Sequence, residues 1–289
     1  MNVKIRQMKP EEAETCGRIC YEAFKNLADC HGFPPDFPSP EFAIRLAQSF
    51  ATNPEVYSIV AENEDGEIVG SNHLWEFDEI RAVGPVSVDP HKQSKGAGRK
   101  LMEAVIERGR DAAGIRLVQD AFNTASMSLY ASQGFDVKEP LVMVTGAISG
   151  ALPAGTEVRP IQAEDYAGCS ELCRKIHGIE RTGELKNTPP FLTSFVAVRD
   201  GRITAYASAP HFWVLNYAVA ETEEDMHAVL TGTGNLSNGQ PLSFLLPTRQ
   251  TNLFRWCLKQ GMRVVKSMTL MSMGKYEEPR GCFLPSVGY

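Results

Sequence analysis

Apolar and polar residues along the first 145 positions group into blocks of two periods, one suited to strands and one to helices. Residues 2–8 read as a strand, and Pro10 ahead of Glu11, Glu12 and Glu14 opens a helix over about 11–28. Those acids sit where the positive end of the helix dipole favours them. Residues 29–40 carry four prolines, two phenylalanines and a glycine, which predicts a structured loop before a second helix at about 41–51. Strands follow at 56–62, 67–77 and 80–88, the first two joined by the turn Glu64-Asp65-Gly66. Leu101, Val105 and Gly109 share one face of a helix over 96–112. A strand at 115–120, a helix at 124–132 and a strand at 135–145 complete the half. Helices among mostly antiparallel strands predict a mixed α/β fold, a sheet flanked by helices.

The second half repeats this order with weaker periodicity. Arg6, Glu11, Glu12, Cys16 and Cys20 recur 153 positions later as Arg159, Glu164, Asp165, Cys169 and Cys173. Gln133-Gly134 recurs 127 positions later as Gln260-Gly261, so the second copy has lost about 26 residues internally. Between the copies, 146–156 reads Gly-Ala-Ile-Ser-Gly-Ala-Leu-Pro-Ala-Gly-Thr, small and uncharged, as a linker does. The expected division is a domain over 1–147, a linker over 148–155 and a second domain over 156–289.

Composition narrows the class. A chain of 289 residues suits two domains, and 43% apolar with 22% charged residues is globular, neither disordered nor fibrous. No apolar run approaches the roughly 18 residues of a membrane span, and the first residues lack the apolar stretch of a secretory signal. A net charge of −6 argues against a nucleic-acid partner. Seven cysteines, an odd number without CxxC spacing, suggest neither a disulfide framework nor a metal site; a reducing cytoplasm is the expected compartment. Cys16 and Cys20, like Cys169 and Cys173, share a helix face as core filling.

The chemistry concentrates in residues 86–102, Val-Ser-Val-Asp-Pro-His-Lys-Gln-Ser-Lys-Gly-Ala-Gly-Arg-Lys-Leu-Met. A strand stops at Pro90, and Gly96 and Gly98 open an amphipathic helix. Unpartnered N–H groups at a helix start, together with its dipole, form a site for phosphate, and glycines let the backbone approach the anion. Lys92, Lys95, Arg99 and Lys100 put four cations within nine residues, in a half whose charge to residue 150 is −7. The segment is neither a Walker loop nor a dinucleotide fingerprint, for Leu101 stands in the place of a third glycine. A solvated strand-to-helix turn is the competing explanation; otherwise the residues specify a phosphate or pyrophosphate site.

Gln93-x-x-Gly96-x-Gly98, after Val86-Ser87-Val88-Asp89-Pro90, resembles the acetyl-CoA pyrophosphate loop of the GCN5-related N-acetyltransferase (GNAT) superfamily. Downstream, Asn123-x-x-Ser126-x-x-Leu129-Tyr130-x-x-x-Gly134-Phe135 resembles the second motif of that family, with Ser126 replacing an alanine. The resemblance covers almost all of 1–145 and implies two tandem GNAT-like domains. By that resemblance, the main chain of Val86 and Val88 would bond the pantetheine arm. The loop from Gln93 through Ser94, Lys95, Gly96, Ala97 and Gly98 to Arg99 would cradle the pyrophosphate. Asn123 would face the pantetheine, and Tyr130 would protonate the departing thiolate; packing at a helix end is the alternative for Tyr130.

An amine acceptor must lose a proton before it attacks, and a carboxylate commonly takes it. Glu76, Asp78 and Glu79 cluster at the end of the third strand and the turn after it, with His73 upstream. Each taken singly reads first as an exposed turn charge; the resemblance, which implies a carboxylate from a strand beside the central splay, makes Glu76 the choice of base among them. Phe33, Asp36 and Phe37, in a proline-rich loop, would wall an acceptor pocket for a primary amine on a small molecule or peptide; loop anchoring by buried aromatics is the alternative. In the second half, Glu221, Glu223, Glu224 and Asp225 replace the glycines, and Cys257 stands where Tyr130 stands. That half resembles a degenerate transferase domain. The expected function is acetyl-CoA-dependent N-acetyl transfer, against a non-enzymatic acyl-CoA sensor or assembly module. No metal, membrane or nucleic acid is expected, and the residues leave the oligomeric state open.

Overall fold

The computed structural model describes residues 3–92, 96–189 and 192–288. The chain forms two compact units, residues 1–116 with 125–134 and residues 117–124 with 135–289. Both are built of sheets covered by helices, the mixed α/β architecture that the pattern predicts. Among the described residues no helix is long and apolar enough to cross a membrane.

In the first unit the strands are β1 (Lys4–Gln7), β2 (Val56–Glu62), β3 (Ile68–Trp75), β4 (Ile80–Val83), β5 (Ser87–Val88) and the first residues of β6 (Gly114–Asp120). They lie in the order β1-β2-β3-β4-β6, with β5 also paired to β3. All neighbours are antiparallel except β4 and β6, which run parallel over Ile80–Ala82 and Gly114–Arg116. The helices are α1 (Ala13–His31), α2 (Pro40–Thr52), α3 (Ala97–Arg108) and α4 (Thr124–Ser132).

The departures from the sequence pattern have local causes. The expected first helix starts as a 3-10 turn, Pro10–Glu12, and runs on to His31, where Gly32 ends it in the left-handed conformation. Gly17 lets α1 approach α2 closely, since a Cβ there would strike the Ile44 backbone. The strand expected over 80–88 is broken, because Pro85 has no N–H for a ladder. Gly84 instead caps the break: its N–H donates to His73 and its carbonyl accepts from the Trp75 indole at 2.7 Å. The helix expected to 112 stops at Arg108, and at Gly109 a Cβ would meet Ile115.

The second unit holds β7 (Asp136–Gly146), flanked by β13 (Arg263–Gly274) and β12 (Leu242–Pro247), and an antiparallel sheet of five. That sheet runs β14 (Cys282–Leu284), β11 (Tyr217–Ala220), β10 (Arg202–Ser208), β9 (Phe195–Arg199), β8 (Thr156–Pro160). Its helices are α5 (Tyr166–His177), α6 (Thr182–Lys186), α7 (Glu223–Leu236) and α8 (Thr251–Lys259). Sequence position and packing divide the strands differently. β7 comes before the expected linker yet contributes Val142 and Val144 to a core otherwise made by the second half. The linker itself is tied down: Ile148 is buried, and Gly150 exchanges two backbone hydrogen bonds with the Asn235 side chain.

The repeat is visible element by element. α4 and α8 are each nine residues long and start 127 positions apart, at Thr124 and Thr251. β7 and β13 start with the same offset, and the 3-10 turns at Pro10 and Ala163 are 153 apart.

Candidate active site

The start of α3 is bare. Its N-cap is Gly96, at φ +95°, and among the described residues no side chain caps the helix and no acid lies in the first turn. The first internal helix bond, Lys100 N–H to the Gly96 carbonyl, leaves Ala97, Gly98 and Arg99 N–H without an acceptor in the helix. Gly96 needs its glycine for the left-handed backbone. Gly98 does not: a Cβ there would stand 3.7 Å from Leu129 and 3.9 Å from Val88, ordinary contact distances. Packing therefore tolerates a side chain at 98, while an anion against these N–H groups would not. Gln93, Ser94 and Lys95 lie outside the described residues.

The expected ring of cations is looser than the sequence suggests. Lys92 pairs with Glu67 at 2.8 Å, Arg99 donates to Ser132 Oγ at 3.0 Å, and Lys100 Nζ donates to the Val3 carbonyl at 3.1 Å. Each of the three has a protein partner, so the anion-seeking groups on view are the backbone amides.

Beside α3 runs β5. Asp89 N–H donates to the Val69 carbonyl at 2.8 Å, and Ser87 sits opposite Ser71. Alternation along an antiparallel pair then turns the Val88 N–H and C=O away from β3. Among the described residues no strand covers that edge, because β4 rather than β5 is the neighbour of β6. Val86, two residues earlier, precedes β5 at the same edge parity. Helix α4 packs on the first turn of α3: besides the Arg99–Ser132 bond, Gln133 Nε2 donates to the Arg99 carbonyl at 3.2 Å. Tyr130 on α4 is 8% exposed. Asn123 belongs by its contacts to the second unit, where its N–H caps Asp120.

The other expected residues are placed as follows. β3 ends at Trp75, so Glu76 and Asp78 lie in the turn to β4 and strand alternation does not reach them. Arg108, on the last turn of α3, donates to both Glu76 oxygens, at 3.1 and 2.9 Å. Nothing in the sequence pointed to Arg108, which is 32 positions away. His73 is buried with Nδ1 2.8 Å from Ser58 Oγ and its ring against Phe50. Burial pushes its pKa down to about 3, so it is neutral and a poor proton acceptor near pH 7. Phe37 is 3% exposed and meets Phe24 edge-on, while Phe33 and Asp36 are half-buried.

At the matching point of the second half, Thr222 caps α7 by accepting from Asp225 N–H at 3.2 Å. Three acids, Glu223, Glu224 and Asp225, fill the first turn. The expected four-acid barrier is partly neutralised: Lys175 and Arg202 hold Glu221, and Arg199 lies 3.1 Å from buried Asp225. Glu223 and Glu224 remain to face an anion. Cys257 is fully buried, and burial pushes its thiol up to about 12, so it stays protonated at neutral pH. No group of three His, Cys, Asp or Glu among the described residues is arranged to hold a metal.

Residues 21–135 match the family model described as Acetyltransferase (GNAT) family. No curated protein matches the chain in sequence. Three solved structures share its fold over both halves. A Pyrococcus horikoshii protein assigned as an acetyltransferase is similar with a TM-score of 0.71 and 17% identity, over 96% of this chain and 91% of that one. A GCN5-related N-acetyltransferase from Sphaerobacter thermophilus gives 0.61 and 16%, over 96% of each. A tandem GNAT protein from the clavulanic acid biosynthesis pathway gives 0.58 and 12%, over 96% of this chain and all of that one. The family match thus lies within the half that carries the bare α3 start, and along its whole length the chain has the fold of these two-domain GNAT structures.

Proposed function

We propose that the chain is a single-site, acetyl-CoA-dependent N-acetyltransferase, with the working site in the first of two tandem domains, 1–147 and 156–289, joined through 148–155. The observation that carries this reading is the start of α3, uncapped and acid-free among the described residues, beside an edge of β5 that no described strand covers. Coenzyme A fits these residues. The amides of Gly96 to Arg99, with Gln93, Ser94 and Lys95, suit its pyrophosphate; the outward main chain of Val86 and Val88 suits the amides of its pantetheine arm, and Asn123 faces that arm. The cosubstrate supplies the acetyl group as a thioester already activated for transfer.

Tyr130 then holds its hydroxyl proton for the departing sulfur, and Glu76 takes the proton that the amine sheds. The acceptor nitrogen bonds the acetyl carbon as the C–S bond breaks; one proton is lost to Glu76 and one supplied by Tyr130. Arg108 must loosen its fork for Glu76 to act, which its exposure permits. Phe33, Asp36 and Phe37 form the acceptor side, suited to a primary amine on a small molecule or peptide. The seven free cysteines suit a reducing compartment, and we place the protein in the cytoplasm.

Release of free CoA across a panel of amines tests the proposal: at least one amine should give turnover, lost in Gly98→Asp. The Glu76–Arg108 fork favours one competitor, a non-catalytic acyl-CoA sensor. Tight acetyl-CoA binding without release for any amine would establish that reading instead.

A further inference from the structure

The last strand of the chain lies where a ligand lies in the proposed first site. β14 pairs antiparallel with β11, Ala218 opposite Leu284, Val219 opposite Phe283 and Ala220 opposite Cys282. β11 stands before α7 as β5 stands before α3, and β10 flanks β11 as β3 flanks β5. β14 therefore takes the edge of β11 that corresponds to the uncovered edge of β5. Its other side packs beside β12.

A second contact identifies the place more sharply. Gln250 brackets the Phe283 backbone, its Nε2 donating to the carbonyl at 2.6 Å and its Oε1 accepting the N–H at 3.1 Å. Gln250 stands 127 positions after Asn123, the same offset that relates α8 to α4 and Cys257 to Tyr130. So the carboxamide proposed to face the pantetheine in the first half has a counterpart that grips a backbone amide of the tail. An uncovered strand edge invites some partner, but an ordinary edge strand needs no such bracket.

The tail is locked at both ends. Arg280 N–H donates to the Ile176 carbonyl at 2.8 Å, and Val287 N–H to Val214 at 2.9 Å. Ser286 is fully buried and donates to Glu184 at 2.8 Å, while Arg181 reaches the Gly288 carbonyl at 3.4 Å. Gly281 has no room for a Cβ beside the Ala220 carbonyl.

We infer that Cys282–Leu284 is an internal occupant of a second pantetheine groove, holding the strand edge and carboxamide that a cofactor arm would otherwise use. The inference rests on the proposed function, since that reading places pantetheine on the edge of β5. The second groove keeps the part that binds an extended, neutral, amide-bearing chain. It has lost the part that binds phosphate, because Glu223 and Glu224 begin a helix already capped by Thr222. Its ligand class is therefore pantetheine or a short apolar peptide, and coenzyme A is excluded by its charge.

Hydrogen exchange on the full chain tests this. In wild type, the amides of 282–284 should exchange slowly, and added pantetheine should leave them unchanged. Gln250→Ala should speed exchange there at least tenfold while β9 and β10 keep their protection; Gln250→Glu, which keeps the acceptor for Phe283 N–H, should fall between. Millimolar pantetheine should speed the tail of Gln250→Ala at least a further threefold by competing for the groove, and coenzyme A should not. Unchanged exchange in Gln250→Ala, or a tail indifferent to pantetheine in that variant, overturns the inference. Acetyl-CoA titration of the same samples reads the first site separately: binding there with an indifferent tail rejects only this inference, whereas no binding at all rejects the proposed function and this inference with it.

Discussion

Arg6 places two nitrogens on Glu12, at 2.9 and 2.8 Å, and 153 residues later Arg159 does the same to Asp165. The sparse matches that marked the repeat are thus a structural ion pair and buried cysteines, positions where geometry tolerates few side chains. The chemical residues are less constrained by packing, and their roles are tested singly. Tyr130→Phe should lower kcat by about 10²–10⁴-fold with little change in acetyl-CoA KM, as expected of a proton donor acting in the transition state; a variant within about twofold of wild type would show that the thiolate leaves without it. His73 makes a stability prediction. Its folded pKa, about 3, lies below the unfolded value near 6.5, so the unfolded chain binds the extra proton. Its contribution to stability is complete above pH 6.5 and falls by about 1.4 kcal/mol per unit as pH drops below that. Urea unfolding at pH 7 and pH 5 should show a larger loss for wild type than for His73→Asn; equal losses would reject the assignment.

At the scale of elements, α3 and α7 show what a helix start can be made to do. Both follow a strand and occupy corresponding places, but one begins on Gly96, which has no side chain to cap it, and the other on Thr222 with three acids behind it. The capped helix satisfies its own N–H groups; the bare one leaves them for an anion. Gly98→Asp should abolish acetyl-CoA binding while the chain stays folded, since a Cβ meets only ordinary contacts and the carboxylate would occupy the place of the phosphate. Gly98→Ala should retain the fold by circular dichroism and lose less affinity. Cofactor affinity unchanged in Gly98→Asp would reject the loop assignment. The glycine-led, acid-free start of α3 was legible in the sequence, because glycine spacing and charge are local. The break of the strand at Gly84-Pro85 and the grip of Arg108 on Glu76 were not.

For the whole molecule the expectation is one acetyl-CoA per chain. The second half faces the anion with Glu223 and Glu224, and two like charges about 4 Å apart near a surface repel by roughly 4 kcal/mol at an effective dielectric of 20. That alone would weaken binding about 10²–10³-fold, and β14 already covers the edge of β11. Isothermal titration of the full chain should give a stoichiometry of one; a value of two would overturn the reading of the second half as degenerate.

The class of fold, the doubling, and the half whose helix start is led by glycines without acids could all be read from the residues alone. Each of these follows from short-range patterns: alternation, helix periodicity, and glycines beside a strand end. That β7 packs between β12 and β13, that three of the expected loop cations have protein partners, and that the tail returns to β11 emerged from the folded chain alone. Those depend on which distant edge offers unpaired backbone groups, and a strand of three apolar residues such as Cys282–Leu284 carries no mark of the edge it will join.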